Sequence, residues 1–124
     1  MRHKSAKRQL GRRRHQRDQL MRGLCAGLLE HRHIVTTEAK GKELRMFVEP
    51  LITEARKEMT LHRRRSLLSK VGQRESLSSL IEIAKENAKR EGGYLRISQV
   101  GACQGNGASM VRVDFSEKNN SSNK

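Results

Sequence analysis

Tryptophan is absent from this 124-residue chain, tyrosine occurs once and phenylalanine twice. A sheet of base-stacking aromatics of the RNA-recognition-motif kind therefore cannot be assembled from it. Cys25 and Cys103 are too few and too far apart for a disulfide framework, and no CxxC pair offers a zinc site. That usage fits a reduced, intracellular setting. The longest apolar run, residues 24–29, is too short for a signal-peptide core or a membrane span. The expectation is a cytoplasmic protein with no membrane partner.

Catalytic constellations are missing as well. Asp18 and Asp114 are isolated, no GxSxG occurs, and neither cysteine has an activating histidine nearby. Gly105-Asn106-Gly107 is followed by neither GK[ST] nor a helix start, so it reads as a turn and not as a phosphate loop. His31 and His33 form an HxH, but no third ligand stands at useful spacing and Arg32 between them opposes a cation. Neither an enzyme nor a metal, cofactor or small-molecule substrate is expected.

Acidic residues are scarce, and what is abundant is positive charge: 27 Lys and Arg against 13 Asp and Glu give +14 and a pI near 10.9. Such a charge repels itself in a compact chain, and a polyanionic partner relieves it. The length suits one domain with one modest core, drawn from Leu, Ile, Val, Met and Ala.

Residues 2–17 concentrate the charge. Arg2, Lys4, Lys7, Arg8, Arg12, Arg13, Arg14 and Arg17, with His3 and His15, are accompanied by no acid. Like charges at that density do not fold on themselves, so this arm is expected to take its structure from a partner. Arginine suits phosphate because its planar fork matches the anion's geometry. A solvated tail and a nuclear-localisation-like run are the bland alternatives. A second cluster, Arg56, Lys57, Arg63, Arg64, Arg65, Lys70 and Arg74 against Glu58 alone, supports phosphate contact over a merely solvated helical face.

Leu20, Met21, Leu24, Cys25, Leu28 and Leu29 recur at helical spacing and predict a first helix from about residue 17 to 31. Cys25 on that stripe is a core residue. Ile34-Val35-Thr36-Thr37 favours a strand. Thr36 or Thr37 can cap a second helix carrying Leu44, Phe47, Val48, Leu51, Ile52, Ala55 and Met59, which Pro50 should kink or break. A short basic helix follows Thr60, burying Leu61, Leu67, Leu68 and Val71, exposing residues 62–65 and ending at Gly72. A fourth, from about Ser76, buries Leu77, Leu80, Ile81, Ala84 and Ala88, with Gly92-Gly93 as its stop. The stripes of the first, second and fourth helices are expected to pack on the sheet. Period-two patterns around Leu95 and Ile97 and around Val111, Val113 and Phe115 predict a hairpin across the connector 101–107. Tyr94, beside the two glycines and near Arg96, either stacks on an unpaired base or covers a core edge.

Met1-Arg2-His3-Lys4 with Arg8-Gln9-Leu10-Gly11-Arg12, then Thr36-Thr37, Lys42-Glu43-Leu44-Arg45 and Glu49-Pro50-Leu51-Ile52-Thr53, then Gly92-Gly93-Tyr94-Leu95-Arg96-Ile97, together resemble the bacterial large-subunit ribosomal protein seventeen family. The resemblance runs from Met1 to about Phe115. Gln16, Gly23, Gln104 and Asn106 depart from the family's usual residues. The resemblance implies an α+β fold, a small mixed sheet with a C-terminal hairpin backed by about four helices. It also implies large-subunit ribosomal RNA and neighbouring large-subunit proteins as partners, near the nascent-chain tunnel exit.

The expected organisation is a basic arm (1–17), one globular domain (18–116) and a flexible polar tail (117–124). The residues expected to meet RNA are Arg2, His3, Lys4, Lys7, Arg8, Arg12, Arg13, Arg14, Arg17, Arg22, Arg63, Arg64, Arg65, Tyr94 and Arg96. A free-standing basic RNA- or DNA-binding regulator is the alternative, and an RNA-processing enzyme using the HxH a distant third.

Overall fold

In a computed structural model of the chain, residues 7–116 are described. Arg2, His3 and Lys4, and the tail 117–124, lie outside the described residues. The order of elements is α1 (Arg14–His31), β1 (His33–Thr37), α2 (Glu38–Arg56), α3 (Leu61–Val71), α4 (Arg74–Glu86), β2 (Leu95–Ala102) and β3 (Ser109–Phe115). The fold is α+β, as the sequence implied. Its sheet has the order β1-β3-β2 and is antiparallel throughout, not mixed.

Register explains which residues are enclosed. Ile97, Val113 and Ile34 share one row across the three strands, and Gln99, Val111 and Thr36 the next inward row. The intervening rows, Arg96–Asp114–His33 and Ser98–Arg112–Val35, face the other way because side chains alternate along a strand. The helices cover the inward face only. Helix α2 lies on all three strands and α1 on β1, whereas α4 packs on α1 and α2. The expectation that α4 backs the sheet is therefore corrected: its stripe meets the other helices, one layer out.

Helix α2 passes so close to the sheet that a Cβ on Gly41 would stand 2.7 Å from Val111 Cγ2 and 3.3 Å from Val113 Cγ2. Glycine is required there by space and not by backbone angle. Leu44, Val48, Leu51, Ile52 and Ala55 continue the buried stripe. Burying each large side chain contributes roughly 1.5–3 kcal/mol. That stripe carries the helix unbroken through Pro50, which removes only the N–H owed to the Met46 carbonyl; of the expected kink or break, the break does not occur. Thr37 occupies the N-cap position without a side-chain capping bond, and Glu38 in the first turn pairs with Lys42 at 2.9 Å. That bond and charge hold the Glu38 carboxyl below its usual range.

In α3, Thr60 Oγ1 accepts from the Arg63 N–H at 3.2 Å and Gly72 closes the helix at φ 89°. Leu67 and Val71 are buried as expected, but Leu61 is 64% exposed, because a first-turn residue lies beyond the reach of the core. Helix α4 ends at Glu86, where the buried Asn87 donates its amide to the Ile83 carbonyl at 2.8 Å. Ala88 thus falls outside the helix and is exposed, and Ile83 takes the core position read for it. The hairpin forms as expected, with a bulge that skips Val100 between Gln99 and Gly101.

Candidate nucleic-acid interface

The arm enters the body through a tight turn. The Arg12 N–H donates to the Gln9 carbonyl at 3.1 Å, and the two residues between, Leu10 and Gly11, have φ of 55° and 65°. Positive φ at both central positions is the pattern of a type I′ turn, which glycine adopts freely and leucine only under strain. Two arginine side chains brace it: Arg12 Nη1 donates to the Leu10 carbonyl at 2.8 Å and Arg17 Nη1 to the Arg12 carbonyl at 2.9 Å. Upstream, the buried Glu43 of α2 accepts from the Arg8 N–H at 3.2 Å and faces its guanidinium at 3.5 Å.

Residues 7–13 are therefore shaped by the chain itself, contrary to the expectation from their charge alone. The counter-charge comes from an acid distant in sequence, which no local pattern shows. Helix α1 also begins three residues earlier than its apolar stripe indicated, so Arg14 and Arg17, read as arm, stand in its first turn. Its start has no Ser, Thr, Asp or Asn cap; Gln16 Oε1 accepts from the Arg13 N–H at 3.4 Å instead. With no acid in that turn, Arg14, His15 and Arg17 crowd the positive end of the helix dipole. Cations placed so cost roughly 0.3–1 kcal/mol each, and a phosphate there reverses the sign.

Between the arm, α1, α2 and the end of α3 lies a cleft of about 670 Å³. Arg14, Arg17 and Arg22 of α1 and Lys70 of α3 line one side, with Met46, Phe47 and Pro50 of α2 on the other. The fold thus brings Lys7, Arg8, Arg14, Arg17 and Arg22 around one opening, and adds Lys70. Arg12 and Arg13 flank it in sequence.

Arg63, Arg64 and Arg65 stand near the other end of α3, roughly 10 Å from Lys70 at 1.5 Å rise per residue. They are not equivalent. Arg63 is half-buried, with Nε on Glu54 at 3.4 Å and Nη1 on the Glu58 carbonyl, whereas Arg64 and Arg65 are exposed. Lys57 first, and Arg63 after it, hold the Glu54 carboxyl below its usual range.

Two expected RNA residues stand apart. Tyr94 is 0% exposed, and its hydroxyl accepts from Arg56 Nη1 at 2.7 Å and lies 3.3 Å from Thr53 Oγ1. The reading of Tyr94 as a core residue is the one that holds, so its ring is not available to stack on a base. Arg96 is on the outer face of the sheet, where its Nη2 meets Asp114 at 3.1 Å and Arg112 Nε meets the same carboxylate at 3.4 Å.

His33 Nδ1 lies 3.1 Å from the His31 carbonyl, and among the described residues no cluster of three or more metal-binding side chains is found. Cys25 is enclosed, and burial pushes its thiol up to about 12. Sequence reasoning missed Glu43, because an acid within a basic helix pattern reads as surface, and missed Met46, which projects off the apolar stripe.

The profile of ribosomal protein L17 matches residues 20–116. Three similar curated proteins are each named large ribosomal subunit protein bL17. That of Gemmatimonas aurantiaca is 49% identical over 93% of this chain and 98% of its own length. Those of Desulfotalea psychrophila and Allorhizobium ampelinum are 43% and 39% identical, over 93% and 95% of this chain and 89% and 84% of theirs. Agreement over that much of the chain establishes that it belongs to the ribosomal protein L17 family and is structural, not an enzyme.

Proposed function

We propose that the chain is a structural constituent of the bacterial large ribosomal subunit, held in the cytoplasmic ribosome by its ribosomal RNA. The arm and the first turns of α1 supply the main contact, with Arg64 and Arg65 of α3 as a second. Neighbouring large-subunit proteins complete the surroundings, and the nascent-chain tunnel exit is the location the family resemblance suggests. The carrying observation is the acid-free first turn of α1, where Arg14 and Arg17 stack on the positive helix end beside the arm. Apart from the brace that Arg17 gives the turn, the crowding of cations at that helix end only costs an isolated protein energy, and a phosphate backbone stabilises it.

Two measurements test the reading. In a lysate gradient the chain should travel with the large subunit after a moderate salt wash; a free-standing regulator would stay in the light fractions. Replacing Arg12, Arg13 and Arg14 with Ala should weaken binding to large-subunit RNA and reduce the salt slope by roughly one per lost phosphate contact. An unchanged slope would remove the arm from the interface.

A further inference from the structure

With Tyr94 enclosed, the only stacking role read from the sequence has no ring to serve it. The cleft beneath the arm has the chemistry for that role. Met46 on its α2 wall is 46% exposed, with Arg8 Nη1 3.9 Å from its sulfur at one edge, and Pro50 beside it is exposed as well. Phe47 shows part of its ring between them. Across the cleft, Arg14, Arg22 and Lys70 have no ion-pair partner among the described residues. Of the acids at the lining, Glu43 is already satisfied by Arg8, leaving Asp18.

A volume of about 670 Å³ lies within the roughly 300–1,000 Å³ typical of ligand clefts. An apolar wall facing unpaired cations matches a molecule with a flat apolar face joined to an anion. Duplex RNA presents phosphates but hides its base faces, whereas an unpaired nucleotide presents both. The chain's own residues 1–6 fit poorly, since Arg2, His3 and Lys4 would bring cations to a cationic rim.

We propose that this cleft receives one unpaired nucleotide of the bound RNA, its base against Met46, Phe47 and Pro50 and its flanking phosphates on Arg14, Arg22 and Lys70. The proposal rests on the RNA-binding reading above and adds a subsite to it.

The test uses two RNA hairpins that differ only in one bulged adenosine, titrated with the full chain at fixed salt. The bulged hairpin should bind about tenfold more tightly, the scale of one base stacked on a protein surface. Met46→Ala, at a position too exposed to threaten folding, should erase most of that preference and lower the paired hairpin's affinity far less. Equal affinities for the two hairpins, or a preference that survives in both Met46→Ala and Phe47→Leu, would overturn the subsite while leaving salt-dependent RNA binding intact. Binding to neither hairpin at low salt would overturn both readings. A preference that emerges only after deletion of residues 1–6 would show that the chain fills its own cleft, and would also overturn the proposal.

Discussion

Glu43 and Arg8, 35 positions apart, meet through two contacts on a single oxygen: Glu43 Oε2 accepts the Arg8 N–H at 3.2 Å and lies 3.5 Å from its guanidinium. The carboxylate is enclosed and the arginine half-exposed, so the pair fastens the arm where water is partly excluded. Because one contact is to the backbone, it fixes the path of the chain and not merely a side chain.

Glu43→Ala should therefore release the arm. The expected loss is about 1–3 kcal/mol, the cost of leaving a partly enclosed donor and cation without their acceptor. Limited trypsin digestion would cut after Arg8 and Arg12 sooner in the variant than in the parent. Unaltered cleavage rates would mean that the arm is held by something other than Glu43.

Gly41→Ala offers a contrast with ordinary helix behaviour. In a helix interior this exchange usually stabilises by about 1 kcal/mol, since glycine is the more flexible residue. Here the new methyl would meet Val111 at 2.7 Å, and β3 is fixed on both sides by its neighbours. A net loss of about 1–3 kcal/mol is expected, read as a lower urea midpoint. A raised midpoint would show that α2 can lift off the sheet without penalty.

The three consecutive arginines of α3 should separate in their effects. Arg64→Ala and Arg65→Ala should each lower the salt slope of RNA binding by about one and leave thermal stability nearly unchanged. Arg63→Ala should do less to RNA affinity, because its guanidinium is already committed to Glu54 and the Glu58 carbonyl. Equal losses in binding for all three would show that RNA displaces those internal contacts.

The cysteines give a chemical readout of the core. Iodoacetamide at pH 8 should modify the exposed Cys103 and spare the buried Cys25 until denaturant is added. Burial raises the Cys25 thiol from 9.0 to about 12, so the unfolded chain releases that proton first. The contribution to stability is complete below pH 9 and is lost as pH climbs toward 12. Cys25→Ser, with a far less acidic side chain, should lose part of that alkaline decline, measured by urea unfolding at pH 8 and pH 10.

Much of this architecture was legible because its signals are local. The stripe from Leu20 to Leu29, the β-branched run up to Thr37, the helix that follows Thr60 and the stop at Gly72 each follow from neighbours in sequence. Where the reading slipped, a distant contact decided the outcome. Pro50 sits within an unbroken helix because the buried stripe around it outweighs one lost backbone bond. Leu61 is apolar yet exposed because only the geometry of α3 places it past the core. Tyr94 shows the same limit at the candidate site: beside Arg96 it read equally as a base stacker or a core edge, and only Arg56 and Thr53, from α2, which draw its hydroxyl inward, decide between them. The clustered arginines were plain from composition, but the apolar wall opposite them exists only once α1 and α2 are side by side.

The strand order β1-β3-β2 means that the last element made is the one on which both others depend. Helices α1 to α4 can gather as soon as they are synthesised, but β1 has no hydrogen-bonding neighbour in the sheet until residues 109–115 arrive. A message cut short before that point yields a chain missing its middle plank, with the Leu95, Ile97 and Ile34 side chains left uncovered. Such a fragment would present to cellular proteases the apolar surface that the finished fold covers.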